Sequence, residues 1–237
     1  MKNRLADILK EQQKMKLKGN IYHKTQISIA YNSNRIEGSQ LSEEQTRYIY
    51  ETRTIDGVAN VDDIIETNNH FRLFNYMLET CEYDLTEEII KEYHNILKSG
   101  TKDSNISWFN VGEYKQLENQ VGNTTTSKPE NVKENMIELL EYYNSIVNIT
   151  VDDIIDFHWK FETIHPFQDG NGRVGRIIMF KECLKNNIMP FIIFDEYKMY
   201  YYRGLAEYDS EPGYLRDTCL SGQDTYNKWC EKLLSNL

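Results

Sequence analysis

The sequence predicts an all-helical protein carrying one short β-hairpin. Three observations point there: long stretches with apolar residues three and four apart, little sustained alternation, and only four prolines in 237 residues. Residues from Asn3 to about Lys18 are amphipathic, with Leu5, Ile8, Leu9 and Leu17 among charges, and Gly19-Asn20 stops that helix. A short helix with Ile27, Ala30 and Tyr31 on its apolar side follows and ends at Glu37-Gly38. Leu41-Ser42-Glu43-Glu44 opens the next with a serine cap and an acidic first turn, and Thr54 to Asn60 is a loop around Asp56-Gly57. From Asp62, Ile65, Phe71, Phe74 and Met77 or Leu78 recur at helical spacing. Thr86 then caps a helix bearing Ile89, Ile90, Tyr93, Ile96 and Leu97.

Between Gly100 and Pro129 the periodicity lapses, and a connection of that length inside a compact domain tends to be functional. Within it, NQVGNTTTS reads as a hairpin with Gly122-Asn123 at or near its tip. After Pro129, Val132, Met136, Leu139, Leu140 and Tyr143 form one stripe. Thr150 caps a helix through Ile154, Ile155, Phe157, His158 and Phe161, HPFQDGNGR interrupts the pattern, and a helix resumes through Val174, Ile177, Ile178, Phe180 and Leu184. The tail from Asp195 reads as two or three helices punctuated by Glu211-Pro212-Gly213.

A formal charge of -10 argues against a broad nucleic-acid surface, which needs clustered Lys and Arg. The first eighteen residues lack the apolar core of a signal peptide, and no stretch approaches the roughly 18 to 20 apolar residues of a membrane helix. That points to a cytoplasmic location, and Cys81, Cys183, Cys219 and Cys230, scattered without a C-x-x-C pair, read as reduced thiols. Trp108, Trp159 and Trp229 are expected as core anchors, and His23, His70, His94 and His158 as packing or solvated residues.

The chemistry concentrates in His165-Pro166-Phe167-Gln168-Asp169-Gly170-Asn171-Gly172-Arg173-Val174-Gly175-Arg176, a tight glycine loop between two helices. Gly170 and Gly172 permit close backbone approach, and the N-terminus of the following helix offers unpaired N–H groups to an anion. Arg173 and Arg176, three apart, can reach toward the same anion. Asp169 could hold a divalent cation that also binds substrate phosphates, and His165 is suited to act as a general base. No Lys-Ser or Lys-Thr follows the glycines as a P-loop requires, and an EF-hand beginning at Asp169 would put Phe180 where an acidic ligand is needed.

This segment resembles the signature of the Fic family, H-x-F-x-[DE]-G-N-G-R-x-x-R, and meets every specified position. The resemblance extends over about residues 105–210, including GEYKQLENQVGNTTTSKPENV, which resembles the family's target-binding flap, and MPFIIFDEYKMYYYRGL. It implies a Fic-fold helical bundle with a hairpin flap, and transfer of a nucleoside monophosphate, most often AMP from ATP, onto a protein hydroxyl. By the same resemblance His165 deprotonates the acceptor Ser, Thr or Tyr, Asp169 holds Mg2+ (or Mn2+), and Gly170, Asn171 and Gly172 form the anion hole. Arg173 would face the outer phosphates and Arg176 the γ-phosphate. Tyr201 and Tyr202 match nucleotide-side tyrosines, and Val121, Gly122, Asn123 and Thr124 of the flap line the opposite side.

A second motif, Ser33-Asn34-Arg35-Ile36-Glu37-Gly38, fits [ST]-x-x-x-E-[GN], which in Fic proteins marks an autoinhibitory helix. It implies that Glu37 pairs with Arg176 and occupies the place of a phosphate. The expected organisation is N-terminal helices over 1–60 with the inhibitory helix at about 25–38, a Fic core over 61–215 with its flap near 115–128, and a C-terminal helix over 216–237. Expected partners are ATP and an unidentified target protein, with self-modification and a homodimer left open, and neither nucleic acid nor membrane. Removal of AMP from a modified protein, a binding-only ATP module and transfer of another group such as UMP stand as alternatives.

Overall fold

The computed structural model describes residues 4–121 and 124–235, with Gln120, Val121, Thr124 and Thr125 described by backbone only. Ten α-helices follow in order: α1 Leu5–Met15, α2 Ile21–Ile36, α3 Glu43–Thr52, α4 Val61–Thr80, α5 Glu87–Lys98, α6 Pro129–Asn144, α7 Val151–Ile164, α8 Asn171–Lys185, α9 Lys198–Ala206 and α10 Gly213–Leu234. Between α5 and α6 lie a 3-10 turn at Lys102–Asn105 and strands β1 Gln120–Val121 and β2 Thr124–Thr125. The strands pair antiparallel, Gln120 opposite Thr125 and Val121 opposite Thr124. Gly122 and Asn123 lie outside the described residues.

Local chemistry explains most helix starts. Ser42 and Thr150 close capping boxes with Gln45 and Asp153, Thr86 accepts from the Ile89 N–H, and Pro129 stands in the first turn of α6 where its missing N–H costs nothing. Asn20 caps α2 by accepting from His23 N–H at 2.8 Å. That cap starts α2 one turn ahead of the boundary expected from the sequence.

Helix α8 is the axis of the bundle. Every residue from Asn171 to Leu184 is buried, and α7, α5, α4, α2 and α1 pack around it. Its apolar residues Val174, Ile177, Ile178, Met179, Phe180 and Leu184 suit a core position, and its buried charges Arg173, Arg176, Lys181 and Glu182 each have a charged partner. Phe180 lies edge-on to both Phe74 of α4 and Tyr226 of α10, with centroids 5.5 and 5.6 Å away, and joins the first three quarters of the chain to its end. A second cluster with Ile36, Ile155, Met179, Phe191 and Tyr201 lies beside the C-terminal turn of α2.

Trp108 departs from the sequence expectation. It is 43% exposed because its segment runs over the surface between α5 and the hairpin, whereas Trp159 and Trp229 pack against core clusters. All four cysteines are buried and free. No described helix is long and apolar enough to cross a membrane.

Phe180→Ala, which leaves a cavity at the contact of α4, α8 and α10, is expected to lower unfolding free energy by about 3–5 kcal/mol, read from urea denaturation.

Candidate active site

The loop between α7 and α8 is fixed by its own sequence. Helix α7 ends where His165 adopts a left-handed conformation, φ 52°, with its N–H donating to Phe161 O at 2.8 Å, and Pro166 prevents continuation. Phe167 is fully buried and stacks on His94 of α5 at 4.1 Å between centroids. The Asn171 side chain accepts from Phe167 N–H and donates to Phe167 O, both at 2.8 Å, which closes the loop. Gly170 supplies the positive φ, 82°, from which α8 starts. No side chain among the described residues caps α8, so its first N–H groups stay open to an anion. The Asn171 amide is committed to Phe167, which leaves the backbone as that residue's means of reaching an anion.

His94 locks this arrangement from below. Its Nδ1 accepts from Gly112 N–H at 2.9 Å, so Nε2 carries the proton and donates to Asp169 O at 3.1 Å. Burial, reinforced by the Lys98 charge, pushes its pKa down to about 3, so it stays neutral. No local pattern marked this histidine, because its partners come from segments far away in sequence.

Two guanidiniums are buried at the start of α8. Arg173 pairs with Glu66 of α4 and with Asp169 Oδ2 at 3.1 Å. Lys98 of α5 sits among three carboxylates, Glu66 at 2.6 Å, Asp169 at 2.7 Å and Asp103 at 3.0 Å. Burial alone would raise the Asp169 carboxyl, but the charges of Arg173 and Lys98 overcome it and hold the group well below the usual range. Arg173, expected to be open to phosphates, is thus held by two carboxylates, and Glu66 and Lys98 are site residues that sequence reading missed.

Arg176 is held by the other motif. Its Nη2 donates to Glu37 Oε1 at 2.6 Å and to Ser33 O at 3.0 Å, its Nε to Ser33 Oγ at 3.0 Å, and its Nη1 to Tyr201 Oη at 3.4 Å. Tyr201 is buried and lies 2.7 Å from His158 Nε2, while the exposed Tyr202 donates to Ile36 O at 2.9 Å. Glu37 Oε1 lies so close to Gly172 that a β-carbon there would overlap it. The carboxylate therefore stands against the glycine loop itself.

His165 is faced by Glu162, whose Oε2 lies 3.8 Å from His165 Nδ1. Burial, with help from Lys115, pushes the His165 pKa down to about 4, so the imidazole is neutral and able to accept a proton near pH 7. Burial, with the Glu37 charge adding to it against Arg176, pushes Glu162 up to about 8. Val121 and Thr124 pair in the hairpin, and its stem is tied to the loop by Asn119 Nδ2, which donates to Phe167 O at 3.1 Å.

Among the described residues no group of three or more His, Cys, Asp or Glu could hold a metal. Asp169 has one oxygen bound to Lys98 and Arg173, and its side chain is 49% exposed. One accessible carboxylate beside an anion-binding loop fits an ion such as Mg2+, which takes one or two carboxylates together with substrate phosphates.

The site is a glycine loop between two core helices, with a neutral histidine at its entrance and paired arginines behind it. Residues 84–183 match the Fic/DOC family, so the chain carries a Fic/DOC domain and its fold is the Fic helical fold. Protein adenylyltransferase fic-1 of Caenorhabditis elegans is 26% identical over 189 residues, covering 76% of this chain and 36% of its own length. A probable protein adenylyltransferase of Aquifex aeolicus is 30% identical over 139 residues, 53% of this chain and 40% of that protein. The chain spans about a third of the length of the first of these relatives. The crystal structure of a Fic domain containing signaling protein from Bacteroides thetaiotaomicron superposes with a TM-score of 0.72 at 25% identity, covering 97% of this chain and 91% of that one. Fic-1 of C. elegans, residues 134–508, superposes with a TM-score of 0.76 at 20% identity over 98% of this chain and 72% of its own. Ser33, Glu37, Tyr201 and Tyr202 lie outside the family-matched residues.

The Glu162 carboxyl, raised above its unfolded value, favours the folded state at low pH and loses that contribution as pH rises from about 4.5 through about 8. Glu162→Gln, which keeps the shape without the charge, is expected to stabilise the chain at pH 8 by about 1–3 kcal/mol and to have little effect at pH 4, read by urea denaturation at both values.

Proposed function

We propose that this chain is a protein adenylyltransferase held in check by Glu37. The observation that carries the reading is a neutral, partly accessible His165 beside the uncapped N-terminus of α8. An acceptor Ser, Thr or Tyr hydroxyl attacks the α-phosphorus of ATP and gives its proton to the His165 imidazole. The new bond joins the acceptor oxygen to phosphorus, the bond to the bridging oxygen breaks, and pyrophosphate leaves. The backbone of Gly170, Asn171 and Gly172 receives phosphate oxygens, a task of positioning and charge neutralisation. Asp169 would hold Mg2+ or Mn2+, which would neutralise phosphate charge when bound. Tyr201 and Tyr202 border the nucleotide, and the flap around Val121, Gly122, Asn123 and Thr124 orients the target chain. Four buried free thiols suit a reducing cytoplasm.

Inhibition follows from charge. With Arg176 bonded to Glu37 and Ser33, its donors are taken from an outer phosphate, and the carboxylate against Gly172 repels that phosphate. Asp169 and the α8 N-terminus stay available, so ATP is held out of alignment more than it is excluded. The carboxylate's contact with the glycine loop also suits a reverse role, activating water to remove AMP from a modified protein.

Intact-protein mass spectrometry after incubation with ATP and Mg2+ tests the reading. Glu37→Gly is expected to carry an AMP adduct at least about tenfold more abundant than wild type, a barrier difference of about 1.4 kcal/mol, and Glu37→Gly/His165→Ala none. An adduct undiminished by His165→Ala would overturn the base, and equal labelling of wild type and Glu37→Gly would overturn the inhibition. Because the His165 pKa is depressed, the transfer rate of Glu37→Gly should stay level from pH 8 to pH 6 and fall only below about pH 5, read by discontinuous labelling across buffers.

A further inference from the structure

Lys115 has no place in the glycine loop or the inhibitory motif, yet it is 4% exposed, a rare state for a lysine. Its three ammonium hydrogens find three neutral acceptors: Asn119 Oδ1 at 2.7 Å, Thr126 Oγ1 at 2.7 Å and Ile164 O at 3.4 Å. Asn119 immediately precedes β1, Thr126 immediately follows β2, and Ile164 immediately precedes His165. One ammonium group thus joins both legs of the hairpin stem to the residue before the histidine.

The neighbouring bonds follow the same design. Lys115 N–H donates to Pro166 O at 2.8 Å, Asn119 Nδ2 to Phe167 O at 3.1 Å, and Leu117 N–H to Gln168 Oε1 at 3.3 Å. Thr126 Oγ1 accepts from Lys115 and donates to Asn119. The stem is therefore bound residue by residue to the loop that begins at His165. Among the described residues no carboxylate bonds the ammonium and Glu118 is the one facing charge that favours it, so its pKa falls to about 8 through burial. A structural contact alone would be served as well by an uncharged side chain. The buried charge does something further, since it faces His165 from the flap side while Glu162, Glu37 and Asp169 face it from α7, α2 and the loop.

We propose that Lys115 is a positioning residue that fixes the height and register of the flap over His165, so that an acceptor chain lying on the flap presents its hydroxyl to the base. This rests on the adenylyl-transfer reading. The flap is then a fixed rail, and its register against the histidine is set by one lysine and the two polar residues it bridges. A flap cut loose from Lys115 lets water compete with the protein hydroxyl for the α-phosphorus, giving AMP and pyrophosphate.

The test compares Lys115→Met with Lys115→Arg, each in the Glu37→Gly chain. Lys115→Met is expected to speed amide exchange over residues 117–126 about tenfold or more while α5, α7 and α8 keep theirs. His165, followed by NMR without nucleotide, is expected to titrate at higher pH once the ammonium is gone. The ratio of AMP released to AMP attached to protein should rise about tenfold. Lys115→Arg should restore all three. Unchanged flap exchange together with an unchanged His165 titration would overturn the proposal, as would exchange rising equally in every helix. Should Lys115→Met fail to fold, Asn119→Ala and Thr126→Val read the same flap exchange and product ratio. If the Glu37→Gly parent attaches no AMP, the adenylyl-transfer reading fails, while the exchange and titration still decide whether Lys115 ties the flap to His165.

Discussion

Two guanidiniums buried at the head of the central helix are the constraint to which the rest of this structure answers. Arg173 and Arg176 are 3% and 5% exposed, and charges so placed are tolerable only with partners. The partners come from three directions: Glu66 from α4, Asp169 from the loop and Glu37 from the end of α2. Those contacts bring the N-terminal helices onto α8, and they also arrange the cations that a polyphosphate would meet. In this chain the stability of the bundle and its proposed chemistry draw on the same two side chains.

This explains why Glu37 is hard to regard as an accessory. Removing one member of a buried pair leaves the other charge unsatisfied, a loss of a few kcal/mol in a protein interior. For Arg176 the remaining partners are the Ser33 oxygens and the Tyr201 hydroxyl, all neutral. A polyphosphate reaching the glycine loop would offer the negative charge that Glu37 now supplies. On the proposed reading, ligand and Glu37 compete for a role that the fold requires to be filled.

Much of this was legible in the letters where the cause is local. Ser42, Thr86 and Thr150 announce helix starts because a cap acts over three residues, and the break between α7 and α8 is legible because the turn at Gly170 and the start of the helix act over a few more. The pairing of Glu37 with Arg176, 139 residues apart, was accessible through a recognised motif and through no physical periodicity. Glu66, Lys98 and Lys115 were missed because each matters through partners from other elements, and nothing in its own neighbours marks it. Trp108 was misplaced for a related reason: an aromatic residue in a long connection takes its burial from what lies over it, which hydrophobicity does not encode.

The position of α2 has a mechanical meaning. Twelve of its 16 residues are buried, Thr25 bonds Tyr226 at 2.9 Å, and Asn34 bonds Thr67 at 3.3 Å, so the helix is a beam of the bundle. Glu37 stands just past its end, followed by Gly38 at φ 101°. Swinging the whole helix away would open the core, whereas turning one side chain and the glycine behind it would not. Freeing Arg176 would therefore need movement at the tip of the beam alone, and Tyr202, bonded to Ile36 O, already touches that tip.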